Sequence, residues 1–147
     1  MTAFLRVFLL ALGLFAAPGA FAQTVNAEDG VAVRGTDVVA YFREGRATPG
    51  RAEFAHRWNG VTWRFSTAAN RDEFAAAPER FAPQYGGFCA WAVAQGYRAP
   101  VDPDAWRIVD GKLYLNYSRM IQMRWDLARA SNIAKGDSNW PGLRERP

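Results

Sequence analysis

The sequence predicts a small α+β domain with two β-hairpins, several short helices and a longer amphipathic helix near the C-terminus. Three observations lead there. Asn59-Gly60 and Asp110-Gly111 are tight-turn dipeptides, each set between alternating apolar residues. Pro78, Pro83 and Gly96 cut the intervening sequence into short helical pieces. No linker divides the 147 residues into two apolar cores, so the chain reads as one unit. Half of the residues are hydrophobic and 14% are aromatic, with six Trp, which is enough to bury a sizeable core.

Taken in order, the first residues are not expected to belong to the fold. A charged start with Arg6, an apolar stretch and the small-x-small triplet Ala20-Phe21-Ala22 make a secretory signal peptide over residues 1–22, cleaved before Gln23. The apolar run is short for a membrane span, and Pro18-Gly19 interrupts it. The product is expected to be periplasmic or secreted, with a domain over 23–147 and no membrane span after processing. Asp37 is placed to cap a short helix over Val38 to Phe42. In the first hairpin Trp58 faces Val61, His56 faces Trp63 and Phe54 faces Phe65, all on one side. Ser66 or Thr67 caps a helix through "AANRDEFAAA". Pro78 ends it and starts a further turn. "FCAWAVAQG" reads as a helix with Cys89 in its first turn and Gly96 as its stop. In the second hairpin Trp106 faces Leu115 and Ile108 faces Leu113. Ser118 then caps "RMIQMRWDLARA", where Met120, Met123 and Leu127 form the expected core stripe, widened by Ile121, Trp125 and Ala128. The tail adds a short helix and packs through Trp140.

Composition excludes some functions. The net charge of +4 is scattered, with no Lys/Arg run, so nucleic acid is not the expected partner. Phosphate loops, serine-nucleophile elbows and paired-carboxylate patterns are missing from the sequence. No complete catalytic constellation is visible, and an enzyme is the third-ranked reading.

The stretch from "YFREGRATPG" through "QYGGFCAWAVAQGY" resembles the YHS-domain family, with a core motif over about 36–97. "VRGTDVVAYF", "DPDAWRIVDGKLYLNYS" and "NIAKGDSNWPG" extend the resemblance to the family's exported bacterial single-domain branch. Shorter YHS modules accompany copper-transporting ATPases and are thought to bind metals through a cysteine pair. Phe65, Phe74 and Pro78 match the frame of that motif, but Ser66 and Asn70 stand at its cysteine positions, so that pair is not carried over. The exported branch includes members with selenocysteine at a cysteine-like position. Cys89 is placed there, which implies redox or soft-metal chemistry.

Cys89 is the only cysteine and His56 the only histidine in the chain. Two readings of each stand side by side. Cys89 is either a thiolate activated at a helix start or a small buried hydrophobe. His56 is either a base or ligand beside Cys89 or a core ring stacked on Trp63. Together they offer one sulfur and one nitrogen, too few for structural zinc but suited to a copper-type soft ion, with Met120 and Met123 as possible helpers. Tyr41, Tyr85 and Trp63, with Tyr97, are the residues expected to line a pocket near Cys89. The leading expectation is a soft-metal or thiol-redox protein that meets a metal ion or a redox partner protein. The rival is a non-catalytic module that binds a partner protein or a small apolar ligand.

Overall fold

Three turns with positive φ at both central residues close three hairpins among residues 25–147, which the computed structural model describes. The expected signal peptide and its junction lie outside the described residues. Asp29-Gly30 (φ 49° and 76°) joins β1 (Ala27–Glu28) to β2 (Val31–Ala32). Asn59-Gly60 (51° and 75°) joins β3 (Arg51–Trp58) to β4 (Val61–Phe65). Asp110-Gly111 (51° and 74°) joins β5 (Asp102–Val109) to β6 (Lys112–Asn116). Paired left-handed residues match the right-handed twist of the flanking strands, which is why Asn-Gly and Asp-Gly occupy all three turns. The first four strands form a mixed sheet in the order β1-β2-β4-β3, parallel only between β2 and β4, and β5-β6 stands as a separate ribbon. The β1–β2 hairpin is not anticipated by the sequence reading; β3–β4 and β5–β6 are its first and second hairpins and keep those names.

The registers follow the turns. Trp58 pairs with Val61, His56 with Trp63, Trp106 with Leu115 and Ile108 with Leu113. One expectation needs correction. A bulge between Arg51 and Ala55 puts Arg51, not Phe54, opposite Phe65.

Six helices lie among the described residues: α1 (Val38–Arg43), α2 (Ala68–Ala76), α3 (Pro78–Phe81), α4 (Ala90–Gln95), α5 (Arg119–Leu127) and α6 (Arg129–Arg144). Three of their starts, those of α1, α2 and α5, carry side-chain caps. Asp37 accepts from the Val39 and Ala40 amides, Thr67 from Asn70 and Ser118 from Ile121. Pro78 stands at the first position of α3, and Gly96 (φ 96°) ends α4.

Two further corrections concern the C-terminal third. The face of α5 that packs inward carries Gln122 and Trp125, while Met120, Met123 and Leu127 point to solvent. The tail forms a 16-residue helix, not a short one, and runs through Pro141.

The main core gathers Trp63 and Phe65 of β4, Val38, Val39 and Tyr41 of α1, Phe74, Phe81, Leu113, Leu115 and Cys89. A second cluster joins Tyr85, Ala90, Val93, Tyr114, Trp125 and Leu143, and ties α6 to the domain.

Candidate functional site

Cys89 is the residue just before α4, with φ −55° and ψ 118°, so it caps the helix and does not lie inside its first turn. It is 1% exposed. Its thiol donates to Asn116 Oδ1 at 3.6 Å, and its sulfur accepts from the Tyr117 amide at 3.2 Å. Asn116 Oδ1 also accepts from the Trp91 amide at 3.0 Å. The thiol therefore ties the end of β6 to the start of α4. Burial pushes its pKa up, outweighing the amides of Ala92, Tyr117 and Trp91 that pull it down. The sulfur is thus held as a neutral thiol, the poorly nucleophilic form.

His56 lies elsewhere in the contact pattern. It pairs with Trp63 across the first hairpin, and its half-buried ring meets Phe74 edge-on at 6.1 Å. No hydrogen bond or ring contact joins it to Cys89. Met120 and Met123 are each 67% exposed on α5. Among the described residues no three His, Cys, Asp or Glu side chains converge as a metal cage. With the sulfur occupied by Asn116 and Tyr117, and the imidazole packed on Phe74, this donor set does not fit a copper-type ion.

Ser66 and Asn70 converge on one carboxylate. Ser66 Oγ and Asn70 Nδ2 both donate to Asp37 Oδ2, at 2.7 and 2.8 Å, and the Ser66 amide adds a third bond at 2.8 Å. Asp37 is fully buried, and its other oxygen caps α1. A buried carboxylate with every acceptor site engaged stands here, held by Ser66, Asn70 and the first amides of α1.

The aromatic residues proposed to line one pocket are divided. Tyr41 is buried beneath β5, where its hydroxyl donates to the Pro103 carbonyl at 2.6 Å and its ring meets Trp106 at 5.2 Å. Burial, then the carboxylates of Asp104 and Asp102, drive its phenol far above the ordinary 10.0. Tyr97 lies against Trp91 at 6.5 Å and is exposed. Trp63 and Tyr85, by contrast, line one cleft of about 510 Å³.

That cleft brings aromatic and charged side chains together. Trp58 and Trp63 of the first hairpin, Tyr85, and Trp140 of α6 make aromatic walls. Trp63 is locked by its Nε1–H donating to the Trp58 carbonyl at 3.1 Å. Tyr85 adopts a left-handed conformation (φ 58°) and is followed by Gly86 and Gly87, also at positive φ. A tyrosine in that region stores strain, and the surrounding contacts hold it there. Asn26 clips this turn, with its amide donating to the Gly86 carbonyl at 2.7 Å and its side chain to Gly87 at 3.1 Å. The Tyr85 hydroxyl donates its one hydrogen to Asp137 at 2.9 Å, with the Ile133 carbonyl 3.3 Å away as a secondary acceptor, both on α6. Burial, then the Asp137 carboxylate, hold that phenol protonated well above its ordinary range.

Around this buried floor runs an exposed rim of both charges: Glu79, Lys112, Asp137 and Arg144. None of the four has an ion-pair partner among the described residues. Asp137, Trp140, Pro141 and Arg144 recur at i, i+3, i+4 and i+7, so one face of α6 forms one wall. The sequence reading expects Tyr85 and Trp63 in a pocket near Cys89, whereas Cys89 does not line this cleft, and Trp58, Trp140 and the rim are not anticipated. The helical spacing of 137, 140, 141 and 144 is the signal that was available for the α6 wall. Comparison with known proteins adds nothing to this geometry: no family model, no curated protein and no solved structure matches the chain.

Proposed function

We propose that this chain is an exported YHS-type, non-catalytic binding module whose aromatic cleft receives a small ligand, apolar in its body and polar at its edge. The observation that carries the reading is the cleft itself. Its volume falls within the range of about 300–1,000 Å³ typical of small-molecule sites. Trp58, Trp63, Tyr85 and Trp140 give it aromatic walls, Asn59 and Gln84 add neutral polar contacts, and its charged groups are exposed, where they orient a ligand without burying a charge. Rim charges of both signs select a ligand that is neutral overall. The family assignment rests on the sequence resemblance, and export on the N-terminal pattern. The burial of Cys89 and its bonds to Asn116 and Tyr117 favour this reading over soft-metal or thiol-redox chemistry through Cys89 and His56.

The test uses N-phenyl-1-naphthylamine, an uncharged aromatic probe, followed by quenching of tryptophan emission. Saturable one-site binding is expected, weakened at least tenfold in Trp140→Ala and unchanged in Leu127→Ser, which lies outside the cleft. Binding that Trp140→Ala leaves intact, or no saturable binding, overturns the assignment.

A further inference from the structure

Helix α5 carries its most apolar stripe on the outside. Met120 and Met123 are 67% exposed and Leu127 is 88% exposed. At about 100° per residue the three fall within an arc of roughly 60°. Arg119 and Arg124 lie on either side of that arc, and neither has an ion-pair partner among the described residues. Tyr117, just before the cap, is 57% exposed. Large apolar side chains exposed together, and not singly, mark a contact surface.

We infer that this face of α5 docks the protein on an anionic lipid surface. Charge identifies the sign of the partner. Asp126, the one carboxylate on α5, already bridges Arg107 at 3.1 Å and Arg129 at 2.8 Å, which leaves Arg119 and Arg124 beside the stripe without ion-pair partners among the described residues. A second copy of the same face would bring arginines against arginines. Shape identifies the class. A nine-residue helix is only about 14 Å long, and three projecting side chains fall far short of the roughly 800 Å² per partner of a stable protein interface. A bilayer interface needs no complementary pocket. It accepts projecting Met and Leu side chains below the headgroups, with arginines and a tyrosine at headgroup level. Each basic residue near an anionic surface strengthens attachment roughly fivefold. No helix among the described residues is long and apolar enough to cross a membrane, so the contact is peripheral.

Processed protein, its N-terminus read by mass spectrometry, is sedimented with vesicles of phosphatidylglycerol and phosphatidylethanolamine, and separately with phosphatidylcholine vesicles. Partition onto the anionic vesicles is expected, falling as salt rises to about 0.5 M. The triple variant Met120→Ser, Met123→Ser, Leu127→Ser is expected to lose at least tenfold in partition, and Arg119→Gln with Arg124→Gln a similar amount, with melting temperatures unchanged because all five side chains lie on the surface. The inference is overturned by an absence of partition, by equal partition onto both vesicle types, or by a triple variant that partitions like the parent. A concentration-dependent dimer abolished by the triple variant also overturns it, by assigning the face to a second copy.

Discussion

Cys89 keeps its proton because the thiolate has no solvent and no cation to stabilise it. Its folded-state pKa is raised above the ordinary 9.0 by burial. Below that value both folded and unfolded chains carry the protonated thiol, and the stability contributed by the group is fully present. Above it the unfolded chain loses the proton first, so stability falls with rising pH until the higher folded-state value is passed. Tyr41 and Tyr85 repeat the pattern above their ordinary 10.0. Urea midpoints measured from pH 8 to pH 11 are therefore expected to decline from about pH 9 in the parent, and from about pH 10 in Cys89→Ala. Coincident curves for the two proteins would remove Cys89 from the account. The same burial makes the thiol unreactive. Iodoacetamide is expected to label native Cys89 only as fast as the protein opens, at a rate that His56→Ala leaves unchanged unless it lowers stability.

At the scale of elements, Asp37 joins three pieces of chain. It caps α1, receives the Ser66 amide and hydroxyl at the end of β4, and takes the Asn70 amide from α2. Asp37→Ala is expected to destabilise the fold by roughly 3 kcal/mol or more, since it removes a cap and leaves buried donors unpaired. Asp37→Asn, which keeps the shape but turns a donor toward Ser66 and Asn70, should fall between that and the parent in denaturant melts. Gly60→Val puts a β-branched residue at φ 75° in the first hairpin turn and should cost about 1–3 kcal/mol through strain alone, because nothing lies within 4 Å of the added Cβ. These elements were legible in the sequence because their causes are local: a turn dipeptide, a capping side chain, a proline. The orientation of α5 was not. Met120, Met123 and Leu127 make one apolar stripe and Ile121, Trp125 and Ala128 another, and helical periodicity does not say which of two stripes meets the core. Packing of Trp125 against Tyr114, with ring centres 5.1 Å apart, decides it. The bulge that displaces Phe54 is equally silent, since it lies beyond the reach of the turn that sets the register.

The cleft is a property of the whole molecule. Its walls come from the first hairpin, the Tyr85 turn, the start of β6 and α6, segments up to some 80 residues apart whose meeting no local pattern encodes. What brings α6 to the rest is a close approach at Gly136. A Cβ there would lie 2.5 Å from the Tyr85 hydroxyl oxygen and 2.7 Å from the ring carbon that bears it. Tyr85 is held in place because its strained backbone is clipped by Asn26 and is followed by the close-packed Gly87, where an added Cβ would lie 3.0 Å from a Val33 methyl. Gly136→Ala therefore sets two effects against each other. The better helix former contributes up to about 1 kcal/mol, while overlap with a fixed aromatic ring costs about 1–3 kcal/mol and displaces the helix. Gly142, on the same helix, has nothing within 4 Å of an added Cβ, so Gly142→Ala feels the helix preference without the clash. The expected outcome is a lower melting temperature and weakened probe binding for Gly136→Ala, with an equal or higher melting temperature and unchanged binding for Gly142→Ala. Were both variants to bind and melt alike, the seat of α6 on Tyr85 would not be what shapes the cleft.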